Sequence, residues 1–342
     1  MKVLMIIPSH FNRVGGAERQ LYILKEKLIK RNLKIIILSN KKNSHKIIFL
    51  FKILYKVLFK YKNIDLIHIH TINSPALIGS IAGKILSKPT IVKIPRNGKG
   101  SVINEYYRSF LGKIYLFILK KSTNKFICLT NYAQKELISF GFNKKKLIVI
   151  PNGVEVENRL KFSKSKHKNN FICVGRLIKR KNVSELLSCF KIVFKNKKKK
   201  LLIIGNGPEL NNLKEIDKKI ISKSKALFFG NKSNMFVNKK LKKSLFFIMN
   251  SNSEGLSNAM LEAMSNKCVV IVRKLNVNVK ILKDNYNSII YKNKKDLYLK
   301  LKNLDNNKRL KCIGNNALET VRKFYDINLI TEKYIKLYKT LI

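Results

Sequence analysis

Acidic side chains are scarce in this sequence. Its 342 residues include 19 Asp and Glu against 72 Lys and Arg, which gives a formal net charge of +53 at pH 7. A surface this basic attracts polyanions, so nucleic acid, an anionic membrane face and phosphorylated small molecules are the candidate partners. Because acids are scarce, any place where two of them lie close together needs an explanation.

Paired cysteines, paired aspartates and long apolar runs are missing as well. The five cysteines are dispersed without Cys-x-x-Cys spacing, which is typical of a reducing compartment and argues against a metal site or a disulfide framework. No Asp-x-Asp sequence occurs, so no carboxylate pair for a metal ion is visible. The first apolar run is too short for a signal peptide, and none reaches the roughly 18 residues of a membrane span. We therefore expect a cytoplasmic protein without a metal.

What the sequence does contain is a regular alternation of short apolar runs and longer amphipathic stretches. Continuous apolar runs bounded by Gly, Asn, Pro or Ser are typical of parallel strands that are covered on both faces. Two sets of six occur, at residues 3–8, 34–39, 65–70, 90–95, 125–130 and 146–151, and at 171–175, 200–205, 226–230, 245–250, 269–272 and 288–291. They predict an α/β protein with two doubly wound, Rossmann-like sheets.

The predicted domains follow from this pattern and from a chain length that exceeds what one core usually holds. Residues 152–170 are polar and charged, and we interpret them as the linker. The predicted domains are 1–155 and 156–325, and 326–342 is predicted to be a closing helix. Ligands of such sheets bind outside the carboxyl ends of the strands, so functional residues are expected in the loops that follow strands.

Two glycine-rich loops follow predicted strands. Gly15 and Gly16, in VGGAERQL, open the first helix and let the backbone approach a ligand closely. Gly207, in IIGNGPEL, stands just before a predicted helix start. Neither loop has the full dinucleotide-binding pattern, so a tight turn in the first case and a plain connection in the second are alternatives.

A basic cluster, VGRLIKRKN, follows the first strand of the second domain. Its cations are Arg176, Lys179, Arg180 and Lys181. Guanidinium and ammonium groups at a strand end can hold a diphosphate. In so basic a chain the same residues could equally form a solvated surface, and their position after a strand is what favours binding.

The segment SNSEGLSNAMLEAMS, residues 251–265, brings two of the scarce acids close together. Seven residues separate Glu254 from Glu262. Ser257 or Asn258 is expected to cap a helix, which places Glu254 in the loop before it and Glu262 about a turn inside. The free N–H groups of a helix start favour phosphate, and carboxylates on either side can accept hydrogen bonds from sugar and ribose hydroxyls. The alternative is one capping acid and one solvated acid.

Taken together and in this order, the motifs resemble the retaining glycosyltransferases of family 4, whose GT-B fold has two Rossmann-like domains facing a central cleft. The resemblance covers nearly the whole chain. It is carried by GGAE at 15–18, PNGVE at 151–155, GRL with Lys181 four positions after Leu177, IGNGPEL at 204–210, and the pair Glu254 and Glu262. It implies metal-independent transfer of a sugar from a nucleotide-sugar donor, with retention at the anomeric carbon.

The same resemblance assigns roles to individual residues. Arg176 and Lys181 would hold the donor diphosphate and stabilise it as the leaving group, and Glu254 would contact the transferred sugar. Glu262 would bind the ribose hydroxyls. The other expected donor-site residues are Gly255, Leu256, Ser257, Asn258, Gly15, Gly16 and Gly207. The donor, a UDP- or GDP-sugar, is a substrate, and no cofactor is expected.

The sequence departs from the family pattern at several positions. Asn182 stands where a glycine follows the lysine of the GRL motif in the family, and the glycine that is usual after EAM is replaced near Lys267. His68 and His70 end another strand and are interpreted as satisfied core or strand-end histidines, with a position of His70 facing the cleft as the alternative. The remaining departures are Pro95, Arg96 and Asn97 in a loop where many members have a His, and Asn276, Val277 and Lys280 where paired glycines and an acid are common.

Two apolar stretches with regularly placed cations lie in the first domain, which binds the acceptor in this family. Residues 44–62 carry Lys52, Lys56 and Lys60 on one predicted helical stripe, and residues 106–122 repeat the pattern. Such helices can lie on an anionic membrane surface, although ordinary surface helices fit the pattern too. We therefore expect a lipid-linked or envelope acceptor, as in capsule or lipopolysaccharide synthesis, and a peripheral position on the inner face of the cell membrane.

Two other functions are compatible with parts of the sequence. A non-hydrolysing sugar-nucleotide epimerase shares the architecture but needs acid and base groups in the cleft, and His is scarce. A basic nucleic-acid-binding protein fits the net charge, but no recognisable binding module is visible, so no nucleic-acid partner is expected.

Overall fold

The chain forms two compact units. The computed structural model describes residues 1–8, 15–40, 45–96, 98, 101–157, 167–276 and 281–342. The first unit consists of Met1–Gly153 with Ile327–Ile342, and the second of Val154–Asp326. Sequence features at residues 14, 44, 97, 158–166, 277 and 280 lie outside the described part of the chain.

The first unit is built around a six-stranded parallel sheet. Its strands are β1 (Lys2–Ile7), β2 (Lys34–Ser39), β3 (Leu66–Ile69), β4 (Thr90–Ile94), β5 (Lys125–Cys128) and β6 (Leu147–Val149). The helices are α1 (Gly16–Ile29), α2 (Lys46–Tyr55), α3 (Ser74–Ile85), α4 (Val102–Arg108), α5 (Phe110–Ser122), α6 (Asn131–Ser139) and, from the end of the chain, α13 (Ile327–Lys339). The strand order is β2-β1-β3-β4-β5-β6.

The second unit repeats this plan with a different strand order. Its strands are β7 (His167–Val174), β8 (Lys200–Ile204), β9 (Lys225–Phe228), β10 (Ser244–Met249), β11 (Val269–Arg273) and β12 (Ile289–Tyr291). Its helices are α7 (Val183–Val193), α8 (Leu210–Lys219), α9 (Asn234–Lys243), α10 (Asn258–Ser265), α11 (Lys294–Lys302) and α12 (Leu310–Phe324). The order β12-β11-β10-β7-β8-β9 is that of a dinucleotide-binding sheet.

The apolar runs form strands because both faces of each sheet are covered. Along β1, Leu4 and Ile6 face a core that includes residues of α2, α3 and α5, whereas Val3 and Met5 face a core with residues of α1 and α13. Successive side chains of a strand point to opposite faces, so a strand covered on both must be apolar throughout. This confirms the predicted α/β class and all twelve predicted strands.

Two features differ from the sequence-based expectation or extend it. Strand β7 begins at His167, inside the predicted linker 152–170, so that part of the linker prediction is wrong. Its polar start pairs with β8 at Asn170 and with β10 at His167, and such pairing uses backbone groups that do not require apolar side chains. The closing helix α13 packs on the first unit through residues such as Tyr334 and Tyr338.

The exposed surface of α2 carries large apolar side chains. The helix is followed by a π-helical turn, Lys56–Lys60, which changes the helical repeat. Phe51 is 69% exposed and Tyr55 62%; of the three predicted stripe lysines, Lys52 and Lys56 are half-buried and Lys60 is exposed. None of the helices in the described part of the chain is both long and apolar enough to cross a membrane.

Candidate functional site

The strand order of the second sheet determines which loops meet. Strands β8 and β9 lie on one side of β7, and β11 and β12 lie beyond β10 on the other. The point between β7 and β10 is therefore the topological switch point, where open α/β sheets bind their ligands. Loops that follow β7 and β10 start side by side, which brings Lys181 and Glu254 together although 73 positions separate them.

The loop after β7 carries the basic cluster. It contains a short 3₁₀ turn, Lys179–Lys181, and ends at Asn182 in the left-handed conformation, with φ 48° and ψ 42°. The Lys181 side chain passes over Gly175, and its Nζ lies 3.8 Å from where a Cβ of residue 175 would stand. Arg176 is exposed, and its side chain makes no hydrogen bond or ion pair with the residues that the structure describes.

The glycine-rich turn after β8 holds that loop from one side. The Leu177 N–H donates to the Asn206 carbonyl at 2.9 Å. A side chain at Gly205 would collide with the carbonyl of Gly175, and one at Gly207 with the carbonyl of Leu177. This close backbone approach requires glycine at both positions. A donor contact of Gly207 stays a prediction.

Glu254, in the loop after β10, is the centre of the charged cluster. The Lys181 ammonium donates to Oε1 of Glu254, and Nη1 of Arg180 lies 3.3 Å from Oε2. The Ser251 hydroxyl donates to Oε1 at 2.6 Å. The Glu254 side chain is only 8% exposed, so these bonds are made largely out of water.

The electrostatics of Glu254 reflect these neighbours. Burial alone would raise the pKa of its carboxyl, but the charges of Lys181 and Arg180, together with hydrogen bonds from Lys181 and Ser251, outweigh it and hold the pKa below its ordinary value. Glu254 is therefore ionised at neutral pH. In this state it forms an ion pair with the Lys181 ammonium, the group that we expected from the sequence to bind a diphosphate.

Arg180 also joins the two loops through the backbone. Its carbonyl accepts a hydrogen bond from the Asn252 N–H at 2.9 Å, and its Nη1 donates to the carbonyl of Ser253. The resemblance assigned roles to Arg176 and Lys181, whereas Arg180 was a candidate only as one cation of the basic cluster and Ser251 was not predicted. The signal for Arg180 was its place in the basic cluster, and that for Ser251 was a hydroxyl three positions before Glu254.

Helix α10 begins immediately after this loop. Ser257 is its N-cap, as expected, and its hydroxyl accepts a hydrogen bond from the Met260 N–H at 3.4 Å. Gly255 and Leu256 are buried, and Ser257 and Asn258 are half-buried. The helix start therefore lies next to Glu254, where its N–H groups and dipole favour an anion.

Glu262 lies in the second turn of α10 and is buried. Its carbonyl accepts hydrogen bonds from the Ser265 hydroxyl and the Asn266 amide at the end of the helix. The structure thus places Glu254 before the helix and Glu262 inside it, as the sequence predicted. Binding of ribose by Glu262 stays a prediction.

Nine of the eleven predicted site residues lie in the second unit, and Gly15 and Gly16 lie in the first. There Gly15 is the N-cap of α1 and Gly16 its first residue. Their role with a donor or acceptor stays a prediction. Among the described residues, no group of three or more His, Cys, Asp or Glu side chains has the arrangement of a metal site.

His68 and His70 are buried in the first unit, as interpreted from the sequence, but the Nε2 of each makes no hydrogen bond with the described residues, so they are not fully satisfied. Nδ1 of His68 shares a hydrogen bond with the Tyr338 hydroxyl at 2.7 Å, and the two imidazole rings lie 4.0 Å apart. Burial, the charge of Lys93 and, for His70, that of His68 hold the pKa of both well below the ordinary range. Lys93 lies over the Tyr334 ring with Nζ 5.6 Å from its centroid.

Two departures from the family pattern keep the backbone that glycine would adopt. Asn182 and Lys267 both have positive φ, 48° and 58°. Lys267 follows α10 with the two hydrogen bonds of a Schellman motif, from its own N–H to Met264 and from the Cys268 N–H to Ala263. The loss of these glycines therefore changes backbone strain rather than the path of the chain.

Comparison with known proteins agrees with the two-unit structure. The family described as "Glycosyl transferases group 1" matches residues 155–325, half of the chain. The chain is a member of the group 1 glycosyltransferases. The family described as "Glycosyltransferase Family 4" matches residues 14–158. The predicted family is confirmed.

Two individual proteins with similar sequences share under a third of the aligned residues with this chain. The chain is 30% identical over 234 residues to the capsular polysaccharide biosynthesis glycosyltransferase CapH of Staphylococcus aureus, which covers 66% of this chain and 63% of that protein. It therefore spans about three fifths of the length of that relative. It is 26% identical over 308 residues to a UDP-Gal:alpha-D-GlcNAc-diphosphoundecaprenol alpha-1,3-galactosyltransferase of Escherichia coli, covering 83% of this chain and 77% of that one.

The fold agrees with solved glycosyltransferase structures. The crystal structure of Anabaena HepE in complex with UDP-glucose superposes with a TM-score of 0.81 over the full length of both chains, at 15% identity. At that identity the likeness shows the fold alone. It confirms the predicted GT-B class of two doubly wound α/β units.

Proposed function

We propose that this group 1 glycosyltransferase transfers a hexose from a UDP-sugar to a lipid-linked or envelope polysaccharide acceptor, with retention at the anomeric carbon and without a metal ion. The observation that carries the donor site is the meeting of Lys181, Arg180 and Glu254 beside the start of α10, at the switch point of the second sheet. Cations beside the start of a helix match a diphosphate.

The proposed role of each site residue follows from its charge. Lys181 and the exposed Arg176 would bind the diphosphate and stabilise the charge that grows on it as the leaving group. Glu254, held ionised, would accept hydrogen bonds from hydroxyls of the transferred sugar. Glu262 would accept them from the ribose. Because Lys181 is paired with Glu254 in this structure, the donor has to share or displace that pair.

The choice of a UDP-hexose rests on similar proteins. The structural neighbour from Anabaena is described in complex with UDP-glucose, and the E. coli relative is named for UDP-Gal. A GDP-sugar is the other donor that the sequence suggested. The names of the relatives, capsular polysaccharide and diphosphoundecaprenol, support an envelope or lipid-linked acceptor.

A membrane surface is the proposed location of the first unit. Outward-facing side chains of α2 and α5 are apolar and large, with Phe51 69% and Phe110 77% exposed. Lysines flank them, and Nζ of Lys121 lies 4.4 Å from the ring centroid of Phe117. Apolar side chains between lysines suit the headgroup region of an anionic bilayer on the inner face of the cell membrane.

Thermal unfolding with a panel of UDP-, GDP-, ADP- and dTDP-sugars tests the donor site. Ligands that bind the folded state raise its midpoint by mass action. We expect a UDP-hexose to raise the midpoint of the wild type in EDTA, and to raise that of Glu262→Ala much less. If no nucleotide sugar shifts the wild type, the proposed donor site is wrong.

Flotation with vesicles tests the membrane surface. Wild-type protein should float with phosphatidylglycerol vesicles at low salt and less at high salt, because lysine attraction is screened. The variant Phe51→Ser/Phe110→Ser should stay in solution, whereas Ile221→Ser, which changes an exposed side chain of the second unit, should float normally. Wild-type protein that stays in solution at low salt would remove this part of the proposal.

The two other functions considered from the sequence, epimerase and nucleic-acid-binding protein, would give different experimental results. An epimerase would convert the nucleotide sugar without any acceptor. A nucleic-acid-binding protein would bind DNA tightly and with steep salt dependence. The family matches in both units favour transfer over either alternative.

A further inference from the structure

A second polar cluster lies beneath the loop that carries Glu254. Arg273, the last residue of β11, donates from Nη2 to Oε1 of Glu185 on α7 at 2.6 Å. Its Nη1 donates to Oδ1 of Asn252 at 2.6 Å. The guanidinium of Arg273 therefore joins α7, which follows β7, to the loop that follows β10. Its strand, β11, contributes no other residue to the site described above.

Asn250 closes the cluster into a ring. Its Nδ2 donates to the same Glu185 oxygen at 3.0 Å and to the carbonyl of Asn182 at 2.9 Å. Its Oδ1 accepts a hydrogen bond from the Tyr291 hydroxyl at 2.6 Å. Both Asn250 and Tyr291 are fully buried, so these bonds form in a low-dielectric interior where a lost partner is costly.

The ring matters because residues 250–257 belong to no strand or helix. One backbone hydrogen bond, from the Asn252 N–H to the Arg180 carbonyl, holds the loop, and side chains that bind it supply further contacts. The Asn250 and Asn252 side chains attach the loop to Glu185, Asn250 directly and Asn252 through Arg273. Glu254 follows two residues later.

We propose that Arg273, paired with Glu185, is a positioning residue that sets the place of Glu254 for sugar transfer. This inference rests on the proposed function of Glu254. Arg273 also neutralises Glu185, which would otherwise leave a carboxylate near the site of an anionic donor. The family pattern did not assign a role to Arg273, which stands at the start of the segment where the sequence departs from it.

The geometry makes arginine necessary at this position. Two nitrogens of one planar fork reach two different acceptors, an amide and a carboxylate. A lysine ammonium would have to hold both from a single atom on a flexible stem. Arg273→Lys should therefore behave almost like Arg273→Met, whereas a simple charge requirement would let lysine restore activity.

The first test is kinetic and uses the UDP-hexose that stabilises the wild type. We expect Arg273→Met and Arg273→Lys to lower kcat by about tenfold to a hundredfold, because a small misplacement of a catalytic group costs this much. Affinity for UDP itself should change little, since Arg273 is not proposed to touch the diphosphate. In the Glu254→Gln background, Arg273→Met should cost little more, because the two residues act as one unit. Arg322→Met, which removes another Arg–Glu pair of the second unit, is the control.

The proposal would be overturned if the loss of kcat in the double variant equalled the product of the losses in Arg273→Met and Glu254→Gln. Wild-type turnover in Arg273→Met, or in Arg273→Lys, would overturn it as well. If Arg273→Met weakened UDP binding as strongly as it lowered kcat, Arg273 would be a donor-binding residue instead. If the wild type binds no nucleotide sugar at all, the proposed function has failed rather than this inference.

Hydrogen exchange tests the positioning role without activity. Amides of residues 250–257 should exchange about tenfold faster in Arg273→Met and Glu185→Gln than in Arg322→Met, because the loop opens locally more often. Peptides of β10 itself should exchange as in the wild type. Unchanged exchange in the loop would contradict the proposal whatever the enzyme does.

Discussion

The two units treat buried lysines in opposite ways. In the second unit, Lys191 and Lys199 are 5% and 7% exposed, and each pairs with an aspartate, Asp217 at 2.9 Å and Asp305 at 2.7 Å. In the first unit Lys93 is 6% exposed and pairs with no carboxylate among the described residues. Instead it lies over the Tyr334 ring and near two buried histidines.

The difference shows where the few acids of this chain are used. A buried cation is tolerated either because an acid neutralises it or because it gives up its proton. The second unit uses carboxylates, and its site keeps charged Lys181 and Glu254 side by side. The first unit relies on deprotonation, since burial lowers the pKa of Lys93 to about 7.

The largest expected effect comes from removing the acid at the centre of the second unit. Glu254→Gln should lower transfer by about a hundredfold or more, because it removes a charge that acts on the reacting sugar. Binding of UDP without its sugar should not weaken, since Glu254 no longer competes for Lys181. Turnover of the UDP-hexose and calorimetry with UDP measure the two effects.

Glu136→Gln is a matched control for that variant. Glu136 accepts a hydrogen bond from the Gly98 N–H in the first unit. Turnover in this control should stay close to that of the wild type. A Glu254→Gln variant that loses UDP affinity as strongly as turnover would contradict the role given to Glu254.

The next effect concerns the unpaired base of the first unit. The pKa of Lys93 is about 7 in the folded chain and 10.5 ordinarily, so between these values the unfolded chain holds one more proton. The free energy of unfolding should therefore rise with pH, by at most about 1.4 kcal/mol per unit between pH 7 and 9, and fall on acidification. Hydrogen exchange of β3, β4 and α13 peptides measures it.

Matched variants isolate the lysine. In Lys93→Met the rise between pH 7 and 9 should disappear and the first unit should become more stable at pH 7. Lys191→Met should instead destabilise the second unit, by about 1 kcal/mol, because Asp217 loses its partner. A pH dependence that persists in Lys93→Met would show that another group causes it.

The smallest effect concerns backbone strain rather than charge. Lys267 holds a left-handed conformation that costs a non-glycine residue about 1 kcal/mol. Lys267→Gly should raise the stability of the second unit by up to that amount. Urea unfolding compares it with Lys274→Gly, at a position after β11 that does not have a positive φ, which should lower stability or leave it unchanged. A destabilised Lys267→Gly would mean that the lysine side chain contributes more than the strain costs.

Much of the fold could be predicted from local pattern alone. Continuous apolar runs placed all twelve strands, because sheets covered on both faces tolerate few polar residues inside a strand. The start of β7 could not be predicted, since its polar residues pair through the backbone. The return of α13 to the first unit depends on tertiary packing that periodicity does not encode.

The candidate site was predictable to a similar degree. Loops after strands pointed to Lys181 and Glu254, but their contact depends on β7 and β10 being neighbours, which strand order decides. The pairing of Arg180 rather than Arg176 with Glu254 depends on the direction of side chains in a short 3₁₀ turn. The role of Arg273 could not be predicted from the sequence, because its partners Asn252 and Glu185 lie 21 and 88 positions away.

Phosphorus NMR of UDP in EDTA tests the central claim most directly, since it observes the diphosphate itself. Both phosphorus resonances should shift on addition of wild-type protein, and should shift far less with Lys181→Met at the same concentration. Glu136→Gln should reproduce the wild-type shifts. Resonances that do not move with the wild type, or that move equally with Lys181→Met, would contradict a diphosphate site at the switch point of the second sheet.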